Sequence, residues 1–293
     1  MIPPKPRRFP HQIPKHKRPK LRKQMTVCIA AITLEKSIVT VSDTMVTTFM
    51  SSADATAVKI ESFAKSWEAM MASDDLTQCQ PIIERAAKYF RNRANTLQVA
   101  RSCLKRAYQQ HLTELVADRV LGRFGSLSMD AFLKSKSKRF TESVSQSLMS
   151  QIQQVTADWQ FLAAGFDAKK KPHLFTVEEP GTDAVYDGIG FCAIGSGRYA
   201  AESLLFQLQQ SAICTMPKTL INLLCAKFAA EKVGAGRNTY MLILKPGSGW
   251  CSIPTWVEPT VRQRWETQIQ PRIPDDLLQR VADAEIVVPV WKP

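Results

Sequence analysis

The residue best placed to do chemistry is Thr26, which follows Met25 and opens the first apolar stretch of the chain. A threonine exposed as a free N-terminus carries two reagents at once, a hydroxyl nucleophile and an amine that can take its proton. The unperturbed pKa of such an amine, about 8, suits that work near neutral pH. Three further polar features stand downstream: Asp43, Lys59 and the tripeptide Gly195-Ser196-Gly197. Taken singly, each has an ordinary explanation. Asp43 suits a strand end or turn, Lys59 a solvated surface, and Ser196 the N-cap of a helix that follows a turn.

The elements that must position these residues are readable from periodicity. Apolar residues alternate through 26–32 and again through 37–43, broken by Leu34-Glu35-Lys36, which predicts two strands joined by a tight hairpin. A Ser/Thr-rich segment reaches Thr56, then short strands are expected around Val58–Ile60 and Trp67–Ala72. The spacing of Ile82, Ile83, Ala86, Ala87 and Phe90 is helical, with Pro81 in the first turn. A second helix is expected over 97–121, and a third over 143–156. The lysine-rich run Lys134–Arg139 between them reads as a solvated loop. Strands return at 159–167 and 173–177 about the turn Lys169–Pro172, and at 190–194. Helices follow at 198–210 and 217–233, then a strand at 238–244 and a short helix near 275–284. Strands, helices, strands, helices and a strand in that order point to a layered α+β sandwich and away from a βαβ fold.

Composition narrows the function classes. The chain has 293 residues with 45% apolar content, enough for a substantial core, and no apolar run long enough to span a bilayer. Its formal charge of +13 is concentrated at one end, since residues 1–24 carry nine basic residues, no acidic ones and six prolines. Removing those nine from 39 leaves 30 basic against 26 acidic residues, or +4, so the body is no obvious polyanion binder. The tail is expected to be disordered, as a propeptide, a targeting or nucleic-acid-binding arm, or leader ahead of a true start at Met25. Seven scattered cysteines without a CxxC pair fit reduced thiols in a cytoplasmic protein. With only His111 and His173 outside the tail, neither a histidine triad nor a multi-histidine metal site is expected, and no cofactor is called for.

Thr26, the pair Ser42-Asp43, Lys59, the turn Met71-Ala72-Ser73, the run Ala164–Asp167 and the run Ala193–Gly197 occur in an order that resembles proteasome-type β subunits of the N-terminal-nucleophile (Ntn) hydrolases. The resemblance is to the bacterial proteasome-like peptidases, HslV and ancestral β subunits among them. It runs from Thr26 to about Leu244, with Lys59 sixteen residues after Asp43 and Ser73 fourteen after Lys59. It implies a four-layer αββα sandwich over 26–250, a C-terminal extension over 251–293, and a threonine endopeptidase unmasked by loss of residues 1–25. In that scheme Thr26 is the nucleophile, and Lys59 keeps its amine neutral because a like charge disfavours protonation. Asp43 positions Lys59, the backbone N–H of Ser73 stabilises the oxyanion, and Ser196 supports the amine. The implied substrate is an unfolded polypeptide or peptide. The implied partners are further copies of the chain in a ring or stack of at least six, and an ATP-dependent unfoldase to feed it; neither a membrane nor a nucleic acid is implied.

Three departures favour an alternative, a catalytically silent structural or assembly subunit. The hairpin between Thr26 and Asp43 is one residue longer than the pattern, and Lys232 and Ala235 stand where an Asp and a Ser would orient the amine. The segment between Phe90 and Val155 is also longer. A third reading is nucleic-acid binding through residues 1–24. The apolar positions of 81–90 and 97–121, including Leu97, Val99, Leu104, Tyr108, Leu112, Leu115 and Val116, exceed what one domain face needs, so part of them is expected at a subunit interface.

Overall fold

The computed structural model describes residues 26–47, 52–54, 59–125, 127–247 and 249–270. The basic tail, and the short helix expected near 275–284, lie outside the described residues. Two five-stranded antiparallel sheets form the centre. The first contains β1 (Cys28–Ile32), β2 (Ile38–Asp43), β10 (Phe191–Ile194), β11 (Thr239–Lys245) and β12 (Gly249–Ser252), in the order β10-β1-β2-β11-β12. The second contains β5 (Ile60–Ala64), β6 (Trp67–Ala72), β7 (Gln160–Phe166), β8 (Pro172–Glu178) and β9 (Thr182–Val185), in sequence order. A separate hairpin pairs β3 (Met45–Thr47) with β4 (Ser52–Asp54).

The period-2 alternation of the strands sorts side chains into layers. On β1, Ile29 and Ala31 pack with Val39 and Val41 of β2 against the helices α5 (Arg198–Gln207) and α6 (Met216–Glu231). Cys28, Ala30 and Ile32 point the other way, into the space between the sheets, where they meet Met70, Ala72, Leu162 and Ala164. The opposite face of the second sheet carries Trp67, Ala69, Phe161, Ala163 and Phe175 against α1 (Cys79–Phe90) and α2 (Leu97–Val116). Helices, sheet, sheet, helices: the four-layer αββα sandwich expected from the sequence is the fold of this chain.

Several elements differ from the sequence reading. The lysine-rich run 134–139 is helical, as the last turns of α3 (Met129–Arg139). With α4 (Glu142–Gln154), α3 closes a small apolar cluster of its own around Leu121, Phe132 and Leu148. Buried Phe132 anchors the helix, and the Ser135 hydroxyl donates back to the Ala131 carbonyl, so a polar sequence can be helical on one apolar contact face. The β3–β4 hairpin, β9, β12 and a C-terminal helix, α7 (Val257–Arg264), were not expected. The apolar surplus of α1 and α2 is taken up internally, since Leu104, Tyr108 and Val116 are buried while Leu97, Leu112 and Leu115 pack on the second sheet's core. The lengthened hairpin is absorbed in its turn. Lys36 takes a left-handed φ of 58°, Thr33 and Ser37 bond to one another, and β1 and β2 pair in unbroken register from Ile32↔Ile38 to Cys28↔Ser42.

Candidate active site

The central position of β2, between β1 and β11, places Asp43 at the end of the most enclosed strand of the first sheet. The Asp43 carboxylate is completely buried and has four donors around it. Oδ1 accepts from the Thr26 hydroxyl at 2.7 Å, from the Val27 backbone N–H at 3.0 Å and from Lys59 Nζ at 2.8 Å. Oδ2 accepts from the Gly236 backbone N–H at 3.0 Å. Three donors thus converge on Oδ1 and one reaches Oδ2, so neither carboxylate oxygen is buried without a hydrogen bond. Its rotamer is held from both sides by backbone.

Lys59 immediately precedes β5 and is 1% exposed. Its carbonyl accepts from the Met71 N–H, which ties it to β6. Its Nζ is paired with Asp43 and also donates to Thr26 Oγ1. An ammonium taken out of water is tolerated only when paired and hydrogen-bonded, and here the partners are a carboxylate and the one hydroxyl that reaches toward solvent. Thr26 itself is half-buried, its nitrogen donating to Ser196 Oγ at 3.2 Å and its carbonyl accepting from the Gly197 N–H at 3.0 Å. The Gly195–Gly197 turn reaches that close because Gly195 has a φ of +89°; a Cβ there would meet the Thr26 carbonyl oxygen at 2.3 Å. The Gly195 N–H is fixed by Gln160 Oε1 at 2.6 Å.

Of the five residues singled out in sequence, Thr26, Asp43, Lys59 and Ser196 form one hydrogen-bonded group. Ser73 is not bonded to them. It follows β6, where its hydroxyl contacts Asp158 Oδ1 at 3.1 Å and the Asp75 carbonyl at 3.2 Å. The neighbouring Asp74 N–H donates to Asp158 Oδ2, so Asp158 pins the whole turn. The strand ends meet at Cys28, whose thiol donates to the Met71 carbonyl at 3.5 Å. Thr26 and Ser73 each lie two residues along from that contact. Burial pushes the Cys28 thiol up to about 12, so this sulfur is not a competing nucleophile at neutral pH.

Lys232 is exposed beyond the end of α6 and Ala235 is buried, so neither puts a polar side chain on Thr26. A backbone donor, Gly236 N–H, stands in this segment instead. Sequence reasoning missed it, along with Gln160 and Asp158. A backbone amide leaves no residue-type signal, although the paired glycines of Gly234-Ala-Gly236 hint at close approach. Among the described residues no group of three or more His, Cys, Asp or Glu could hold a metal ion. No helix among them is long and apolar enough to cross a membrane.

No family model matches the chain, and no curated protein matches it. Among solved structures it is similar to Anbu, in a Gly-1 mutant form, from Hyphomicrobium sp. strain MC1. The TM-score is 0.58 at 12% identity, covering 90% of this chain and 99% of that one. These findings overturn the expected membership of the proteasome-type β subunits nearest HslV: no family model supports it, and the sequence likeness to the structural neighbour is too slight to carry it. What the two chains share is the fold, the four-layer αββα sandwich described above.

Proposed function

We propose that this protein is a peptidase with an N-terminal threonine nucleophile, active once residues 1–25 are removed and Thr26 heads the chain. The observation that carries the reading is the Thr26 hydroxyl, held between the buried Lys59 ammonium and the buried, hydrogen-bonded Asp43 carboxylate while the residue itself remains half-exposed. In the intact chain the Thr26 nitrogen is an amide without basicity. Freed, it becomes an amine beside a buried cation, which favours its neutral, proton-accepting form. Thr26 Oγ attacks the peptide carbonyl and its proton passes to the amine. The C–N bond then breaks, the departing amine takes that proton, and water hydrolyses the resulting ester. The backbone N–H of Ser73 is the oxyanion donor in this scheme. Unfolded polypeptide is the substrate class, and the setting is the cytoplasm, with free cysteines throughout the described residues.

Assembly belongs to the same reading. Tyr199, Phe206, Ile213 and Leu34 leave large apolar side chains at 83%, 63%, 79% and 57% exposure around α5 and the segment after it. A homo-oligomer of at least six subunits, served by an ATP-dependent unfoldase, would keep such a site from indiscriminate contact. The N-terminal mass of protein from its native host tests the reading together with capture by an electrophile. A chain starting at Thr26 that a peptide vinyl sulfone labels, with labelling lost in Thr26→Ala, supports it. A stable chain starting at Met1 that resists labelling sinks it, and favours the silent assembly subunit to which exposed Lys232 and buried Ala235 point.

A further inference from the structure

Behind the candidate site lies a second buried ionic cluster that no step of the proposed chemistry uses. Lys227, in the middle of α6, is 0% exposed. Its Nζ donates to Glu231 Oε1 one turn on, and to the backbone carbonyl of Arg237. Arg262 of α7 reaches the same two groups: Nη1 and Nη2 fork onto Glu231 at 2.8 and 2.9 Å, and Nη2 also donates to the Arg237 carbonyl at 3.1 Å. The Arg262 guanidinium lies 4.1 Å over the Phe228 ring, and Glu258 holds its Nε at 2.6 Å. Two cations from two helices therefore converge on one carbonyl.

That carbonyl belongs to the residue next to Gly236, whose N–H is the sole donor to Asp43 Oδ2 among the described residues. Residues 232–236 otherwise form a tight turn, with the amides of Lys232, Val233, Gly234 and Ala235 all bonding back to residues 229–231 of α6. No side chain of the turn can brace Gly236 from within. A Cβ at Gly236 would lie 2.7 Å from the Met45 Cβ and 2.8 Å from Asp43 Oδ2, so the backbone is already at closest approach. Burying a lysine is costly unless its partners fix it, and such clusters are kept where they specify one arrangement of the chain. Burial indeed pulls the Lys227 amine below its usual range, opposed by Glu231 and, more weakly, by Asp43.

We propose that Lys227 and Arg262 are positioning residues for the candidate active site: by gripping the Arg237 carbonyl they press the Gly236 N–H onto Asp43 and hold the carboxylate that orients Thr26 and Lys59. Helix α7, contributed by the segment after the sandwich, is thereby a strut of the site. Trp265, which directly follows α7 and is buried, packs on Phe228 and docks the helix on the core of α6.

This inference rests on the proposed peptidase reading only for its kinetic arm. The experiment compares the protein carrying Arg262→Ala, Lys227→Met or, as control, Arg264→Ala, an exposed arginine on the same helix, with hydrogen exchange read on the full chain and capture read on the same chains processed to begin at Thr26. Amide hydrogen exchange at Gly236, corrected for global unfolding measured in parallel, accelerates about tenfold in the first two variants and stays unchanged in the control. Capture of Thr26 by a peptide vinyl sulfone slows about tenfold in its maximal rate while the half-saturating concentration is unmoved, since position and not binding is lost. Arg262→Lys, which retains charge and loses the fork, falls between. Gly236 exchange in Arg262→Ala equal to that of the control overturns the proposal, whether or not Lys227→Met folds. Failure of the wild-type chain beginning at Thr26 to react overturns the peptidase reading alone and leaves the exchange result to decide this one.

Discussion

Lys59 and Lys227 are the two enclosed lysines of this molecule's described core, and their inventories are nearly the same. Each is almost wholly out of solvent, each is paired with one carboxylate, and each gives a second hydrogen bond to an uncharged oxygen. They differ in what that oxygen is. For Lys227 it is the Arg237 carbonyl, which has no proton to lose, and the cluster is shared with a second cation, Arg262. For Lys59 it is the hydroxyl of a half-exposed threonine, and no other cation is bonded to the carboxylate. A buried ion pair is thus not in itself a sign of catalysis. It becomes chemical when its third member can give up a proton and face a substrate.

That contrast can be broken most severely at the third member. Thr26→Ala removes the proposed nucleophile and leaves the buried pair intact, so covalent capture by a peptide electrophile and any peptide hydrolysis should fall by about 10³-fold or more. Mass spectrometry of the treated protein reads this directly, and residual labelling at another residue would dissolve the distinction between the two lysines. The pairs themselves come next. Lys59→Met strands Asp43 in the interior without a cation and should cost about 3–5 kcal/mol in denaturant unfolding. Lys227→Met leaves Glu231 with both bonds from Arg262, and should cost about 1–2 kcal/mol. Equal losses would mean that Arg262 does not substitute for Lys227.

A third buried charge sharpens the comparison from outside. Among the described residues Glu68 on β6 has no cation partner and its Oε2 no hydrogen bond, and burial pushes its carboxyl from 4.5 up to about 8. Between those values the folded chain keeps a proton that the unfolded chain has released, so stability declines as pH rises from about 4.5 through about 8. Glu68→Gln should remove that slope and make the variant the more stable protein above pH 8, with little difference near pH 4. Thermal melts of both chains across the range check the sign. Parallel curves would show that Glu68 ionises freely.

Much of the scaffold was legible because its signals are side-chain signals. The alternation of residues 26–43 yields a hairpin whose register survives a longer turn, and Trp67–Ala72 is a strand over the expected span. What escaped has little apolar periodicity to read. Strand β12 is a four-residue edge with Trp250 exposed, and α7 has no buried residue of its own and is secured through the ionic grip of Arg262 and the adjoining Trp265. Helix α3 hides its single strong anchor, Phe132, in a run of lysines and serines. In the site, Thr26, Asp43, Lys59, Ser73 and Ser196 were legible through the order and spacing of a family resemblance, since each residue type taken alone has an ordinary explanation, and four of the five come together. The donors from Gly236 and Val27 were not legible, because every residue but proline carries a backbone N–H and only the fold decides which one arrives.

The close approach at Gly195 has a consequence for how such a site is lost over generations. The position does no chemistry, yet any side chain there must collide with the carbonyl of Thr26 at the head of β1. A lineage could therefore preserve the threonine, the lysine and the aspartate of this candidate site and still lose their arrangement through one substitution in a turn. Surveys that judge activity by counting catalytic side chains would score such a descendant as intact. The more discriminating character to read across relatives is an absence, the missing methyl at this single position.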